Sequence, residues 1–225
     1  VPPPGIDEYN SDLREALGIG PKDVFVLQPT RIVARKGIES AIELVHRMKK
    51  NLPSGKEGVK LVISHQARDE GTAYYDRIID YAHLLGVDLI IRPDRIGEYR
   101  QRDEEGRKIY SLFDVYPHAD FVTYPSTYEG FGNAFLEAIY FKKPLLVNRY
   151  SIFQTDIEPV VFKVVIMDTY ITDETVKNTW KFILDEEFRT QSVEHNFELG
   201  ARYFSYTILA EKIKSILLNF GLSLF

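Results

Sequence analysis

The chain of 225 residues contains no cysteine. That excludes disulfides, thiolate metal centres and cysteine nucleophiles, and it fits a reducing cytosol. No apolar run approaches the length needed to span a bilayer, and the opening Val1-Pro-Pro-Pro-Gly5 lacks the charged and apolar regions of a signal peptide. A soluble protein without a transmembrane segment is expected. An excess of positive charge is also missing: the formal net charge is −5, with basic and acidic residues mixed along the chain. No broad face for a phosphate backbone is expected, and nucleic acid is an unexpected partner. The five histidines are scattered without ligand spacing, so no metal is expected. No low-complexity tract or solenoid repeat interrupts the chain. A starting methionine is lacking too, so the sequence reads as a fragment of a longer protein, a processed form or a trimmed one.

What is present is an ordinary globular composition, 44% hydrophobic and 27% charged, long enough for one large α/β domain over residues 1–225 with a sizeable core. Val24 to Arg31 is an apolar run broken at Pro29, as a strand buried on both faces would be. A helical period follows over Gly37 to Lys50, then strand Val59 to Ser64, helix Ala73 to Leu85 and strand Val87 to Arg92. The polar stretch Asp94 to Lys108 reads as a long surface loop, followed by a short helix around Ile109 to Phe113. Strand Asp120 to Tyr124, helix Asn133 to Phe141 and strand Leu145 to Asn148 come next, with Val160 to Met167 as the last strand. Helices are expected at Asp173 to Leu184, Glu186 to Tyr203 and Ser205 to Phe220. Strands first and helices last predict a Rossmann-like parallel sheet flanked by helices, with a C-terminal helical extension.

In such a sheet ligands bind beyond the carboxyl ends of the strands. Two turns there carry chemistry. Tyr124-Pro-Ser-Thr-Tyr-Glu-Gly-Phe-Gly-Asn133 places Gly130 and Gly132 before a helix whose unpaired N–H groups suit a phosphate. A Gly-x-Gly alone serves as well as a tight turn. Glu137 lies in an apolar helix and needs partners there, either sugar or ribose hydroxyls or a neighbouring Lys or Arg. In Thr30-Arg-Ile-Val-Ala-Arg-Lys-Gly37, the cations Arg31, Arg35 and Lys36 crowd a helix N-terminus, where the dipole opposes a cation by roughly 0.3 to 1 kcal/mol. An anion is expected among them.

Pro125-Ser126, Glu129-Gly-Phe-Gly132 and Leu136-Glu137-Ala138, with Lys143-Pro144 downstream, resemble the Glu-x7-Glu signature of glycosyltransferase family 4, which has the GT-B fold. Arg31-x4-Lys36-Gly37 is similar to that family's diphosphate clamp. Val1 to Asp7 resembles its interdomain segment, and Asn196, Arg202, Phe204 and Ser205 resemble its C-terminal helices. The match runs the length of the chain and implies one half of a GT-B fold, the donor-binding half.

The resemblance implies that Arg31 and Lys36 hold a diphosphate, and that the turn Gly130, Phe131, Gly132 and Asn133 offers it backbone N–H groups. It implies that Glu129 meets the donor hexose and Glu137 the ribose hydroxyls. The chemistry implied is retaining transfer from a UDP- or GDP-linked sugar without a metal. The N-terminal acceptor-binding half would be missing here, leaving this half inactive alone, and through that half a cytoplasmic protein could lie at the membrane. A non-catalytic nucleotide-sugar-binding module, or half of another GT-B enzyme such as a sugar epimerase, is the alternative. Asn148 to Glu158 stands where the family carries a Gly-rich stretch, and Ser64-His65-Gln66 replaces a Gly-containing turn. His65 receives no role.

Overall fold

The computed structural model describes residues 2–65 and 72–219; Val1, Gln66 and Phe220 of the reading above lie outside them. A short helix α1 (Leu13–Ala16) precedes β1 (Asp23–Gln28), which leads to α2 (Ile38–Lys50). Then come β2 (Gly58–Ile63), α3 (Thr72–Leu84) and β3 (Asp88–Ile91). A three-stranded excursion follows, β4 (Ile96–Gly97), β5 (Gln101–Arg102) and β6 (Lys108–Ser111), ending in α4 (Leu112–Val115). The chain returns as β7 (Phe121–Tyr124), α5 (Asn133–Tyr140), β8 (Leu145–Asn148) and β9 (Val165–Met167). It finishes with α6 (Asp173–Leu184), α7 (Glu186–Phe204) and α8 (Tyr206–Asn219).

The main sheet is parallel throughout, in the order β3-β2-β1-β7-β8-β9. Both faces are covered, which is why its strands read as apolar runs. Val24 and Val26 of β1 pack with Ile38, Ile42 and Val45 of α2 on one face. Phe25 and Leu27 pack with Tyr116, Phe135 and Val147 on the other. The six apolar positions of α2 that gave the helical period, Ile38, Ala41, Ile42, Leu44, Val45 and Met48, are all buried.

Strand order reverses between β1 and β7, so their connections leave on opposite faces and open a crevice at the carboxyl ends. A buried polar chain ties these two strands together at that point. Thr123 Oγ1 donates to Gln28 Oε1 at 2.6 Å, and Gln28 Nε2 donates to Thr30 Oγ1 at 2.8 Å.

Three expectations need correcting. The stretch 94–108 is not a plain surface loop, since it forms β4, β5 and the start of β6. Long-range contacts order it: Tyr9 donates from its hydroxyl to the carbonyls of Gln101 (2.7 Å) and Ile109 (3.0 Å), and Arg100 Nη2 pairs with Asp7 at 2.7 Å. The helix expected at Ile109 to Phe113 is strand up to Ser111, and its helical turn begins at Leu112 under a Ser111–Asp114 capping box. The last strand starts only at Val165, because Glu158-Pro-Val160 forms a 3-10 turn and Val161 turns left-handed. The π-helical turn at Phe153–Ile157 and helix α1 had no counterpart in the expectations.

Candidate functional site

The β1–α2 and β7–α5 connections meet directly. Thr127 N donates to the Arg35 carbonyl at 2.9 Å. Gly37, at φ +62°, comes so near Pro125 that a Cβ on it would stand 2.3 Å from the Pro125 carbonyl oxygen. Only glycine meets both demands there. Gly132, at φ +109°, precedes α5 under Tyr124, whose hydroxyl would lie 2.6 Å from a Cβ.

Where these connections meet, a cavity of about 490 Å³ opens, a size typical of small-molecule sites. Arg31, Arg35 and Lys36 line it from one side, and Glu129, Phe131, Gly132, Asn133 and Glu137 from the other. Gly130 is exposed and does not line it. Every other residue expected at the site is on its wall. His65 and Leu112, which had no expected role, lie on it too.

Arg35 and Lys36 are met in this structure by a carboxylate of the protein itself. Glu129 is buried, and its carboxylate is held by Lys36 Nζ on Oε1 and by Arg35 Nη1 on Oε2 at 3.0 Å. Burial works against that charge, but Lys36 and Arg35 prevail and keep the carboxyl below its ordinary value. Lys36 Nζ also lies 5.6 Å from the centre of the Tyr124 ring. Arg35 stood in the cationic run but not among the expected site residues; the signal for it was its place one residue before Lys36.

Glu137 is half-buried and has no cationic partner among the described residues. It accepts a hydrogen bond from the Tyr116 hydroxyl at 3.1 Å, and burial raises its carboxyl above the usual value, partly offset by that bond. Tyr116 lies 21 residues upstream, so nothing local in the sequence announced it. His65 Nδ1 sits 2.7 Å from Ser64 Oγ; burial, with the charges of Arg31 and Lys36, lowers its pKa and favours the neutral ring.

The C-terminal helices brace this site. The Phe131 ring packs on Phe204 of α7 at 5.1 Å, and its carbonyl accepts from the Tyr150 hydroxyl at 2.9 Å. Asn196 binds both backbone groups of Lys163, at 2.7 and 2.8 Å. Lys143, half-buried and depressed to about 8 by that burial, donates to the carbonyls of Pro117 and Ala119 just before β7. Among the described residues no helix is long and apolar enough to cross a membrane.

A doubly wound parallel sheet whose switch-point crevice holds a glycine turn, clustered cations and two carboxylates defines one half of a GT-B fold. Comparisons with known proteins agree. The chain is 36% identical to mannosylglucosylglycerate synthase of Thermotoga maritima, over 94% of this chain and 52% of that protein. It is 39% identical to the Petrotoga mobilis protein of the same name, over 71% of this chain and 39% of that one. It thus spans about half the length, or less, of these curated relatives. Among solved structures it resembles Anabaena HepE in complex with UDP-glucose, with a TM-score of 0.73 at 16% identity over 95% of this chain and 53% of that one. It also matches the C-terminal domain of a group 1 glycosyltransferase (LpcC) from Francisella tularensis, with a TM-score of 0.65 at 17% identity over 90% of this chain and 96% of that domain. No protein-family model matches the chain. The chain belongs to the glycosyltransferases of GT-B fold and corresponds to their C-terminal domain.

Proposed function

We propose that this chain binds a nucleotide diphosphate sugar and forms the donor half of a retaining hexosyltransferase that works without a metal. The observation carrying this reading is the convergence of Arg31, Arg35 and Lys36 with the Gly132 turn and two carboxylates on one cavity at the β1–β7 switch point. A diphosphate is the ligand whose charge suits such a group, because guanidinium grips phosphate oxygens in pairs and lysine adds a point charge. Glu137 suits the ribose hydroxyls and Glu129 the hexose. HepE was solved with UDP-glucose, and the curated relatives are named for a product built from hexoses, which supports a sugar donor.

Transfer passes through an oxocarbenium-like state as the diphosphate departs. Cations on that leaving group stabilise it most when the bond breaks. The acceptor must be held opposite, and positioning supplies much of such a rate. The half of the relatives' length that this chain does not span is where we place that task, so the chain alone is expected to bind donor and transfer little. Calorimetric titration of the chain with UDP, GDP, UDP-glucose and GDP-mannose tests this. Saturable heat from at least one supports the reading, and silence from all four overturns it.

A further inference from the structure

A second cavity, of about 570 Å³, lies between α1 and the excursion and shares no lining residue with the first. Five cations line it: Arg92, Arg95, Arg102, Arg107 and Lys108. Three of them are neutralised. Arg92 grips Asp94 through two bonds of 2.8 and 2.7 Å, Arg107 pairs with Asp103 at 2.6 Å, and Lys108 pairs with Asp12 at 3.0 Å.

Arg95 and Arg102 are the exceptions. Arg95 has a side chain only 18% exposed, and its nearest carboxylate oxygen, on Asp94, is 4.0 Å away. Its Nη1 reaches the Lys108 carbonyl at 3.3 Å, while its buried Nε–H meets no acceptor among the described residues. Arg102 donates to the Gly106 carbonyl at 2.6 Å and has no carboxylate partner among the described residues. Of the two carboxylates on the wall, Asp12 is already engaged by Lys108 and by the Tyr110 hydroxyl at 2.9 Å, and Glu15 makes no ion pair among the described residues. The Nε–H lies beneath the wall, so the Arg95 donor left for an anion in the cavity is Nη2, which makes no hydrogen bond among the described residues.

We infer that this cavity is a second anion site, taking the phosphate group of a small phosphorylated molecule on Arg95 and Arg102. The fork of a guanidinium matches phosphate oxygens, and the space beyond one phosphate leaves room for a body of monosaccharide size. The inference is independent of the donor reading, because no residue of the first cavity takes part.

The test is titration of the parent chain with inorganic phosphate, glucose 6-phosphate and glucose, the Arg95 signal distinguishing this cavity from the first. The Nε–Hε resonances of ¹⁵N-labelled arginine are followed. A saturable shift at Arg95 with either phosphate, but not with glucose, supports the site. The stronger of the two phosphates tells whether free phosphate or a sugar phosphate is preferred. Arg102→Gln, on the exposed rim, is expected to weaken that binding by about tenfold or more without loss of folding. Arg95→Gln should do the same where it folds. No shift at Arg95, or binding unchanged in Arg102→Gln, overturns the inference.

Discussion

Lys36 and Glu129 form an ion pair almost out of water, with side chains 12% and 9% exposed, and Arg35 holds the other carboxylate oxygen. In this state Glu129 occupies two of the three cations that the proposed function assigns to a diphosphate, Arg35 and Lys36. Removing its charge leaves Lys36 buried and uncompensated, at a cost of about 3 kcal/mol. Glu129→Gln is therefore expected to melt earlier than the parent chain. Its cations are then open to phosphate, so UDP should raise its melting temperature more than it raises the parent's. Thermal melts with and without UDP decide this; equal shifts in the two chains count against the exchange of Glu129 for phosphate.

The same pair sets an acid limit. The folded Glu129 carboxyl lies below its ordinary 4.5, chiefly against burial and through Lys36. Its stabilising share is thus complete above about pH 4.5 and is lost as pH falls through the depressed value. Glu129→Gln should flatten that part of the stability profile, measured by urea unfolding at pH 3 to 6.

Glu137 behaves in the opposite sense, with its carboxyl raised by burial despite the Tyr116 bond. If it receives the ribose diol, Glu137→Ala should weaken UDP by about tenfold or more and leave 2′-deoxy-UDP much less affected. Calorimetry with the two nucleotides separates them. Equal losses for both would remove Glu137 from the ribose.

How much of this was legible follows from how local each cause is. Strand β8 and helix α6 match the expected bounds, Leu145 to Asn148 and Asp173 to Leu184, because two-sided burial and a helical period are written within a few residues. The excursion was illegible because Tyr9, Asp7 and Asp12, some 90 to 100 residues away, order it. The site turns were legible through glycine and charge. Their internal pairing was not: that Glu129 takes Arg35 and Lys36 depends on β1 lying beside β7.

Gly37 is where the two turns depend on a missing side chain. A methyl there would strike the Pro125 carbonyl and hold a left-handed backbone. Gly37→Ala is expected to lose about 3 kcal/mol, from the αL penalty plus the overlap, and to weaken UDP because the connections part. Urea unfolding measures the first effect. A variant as stable as the parent would show that the turns can separate freely.

Val161 offers the converse substitution. It is β-branched, sits at φ +66° and is 69% exposed, in the left-handed turn before Phe162. Such a residue is a conformational outlier, because Cβ crowds the following carbonyl and a second γ-carbon leaves χ1 little relief. Its side chain is mainly in solvent, so little packing offsets the strain. Glycine removes the crowding but gains freedom in the unfolded chain, which takes back part of the benefit. Val161→Gly should therefore stabilise by about 1 kcal/mol. Because Phe162 stacks on Phe204, and Phe204 on Phe131 of the glycine turn, UDP affinity measured beside the melt shows whether the strain also serves the site. A gain in stability with unchanged affinity means that it does not, and a gain with weakened binding means that the left-handed valine helps to place Phe131.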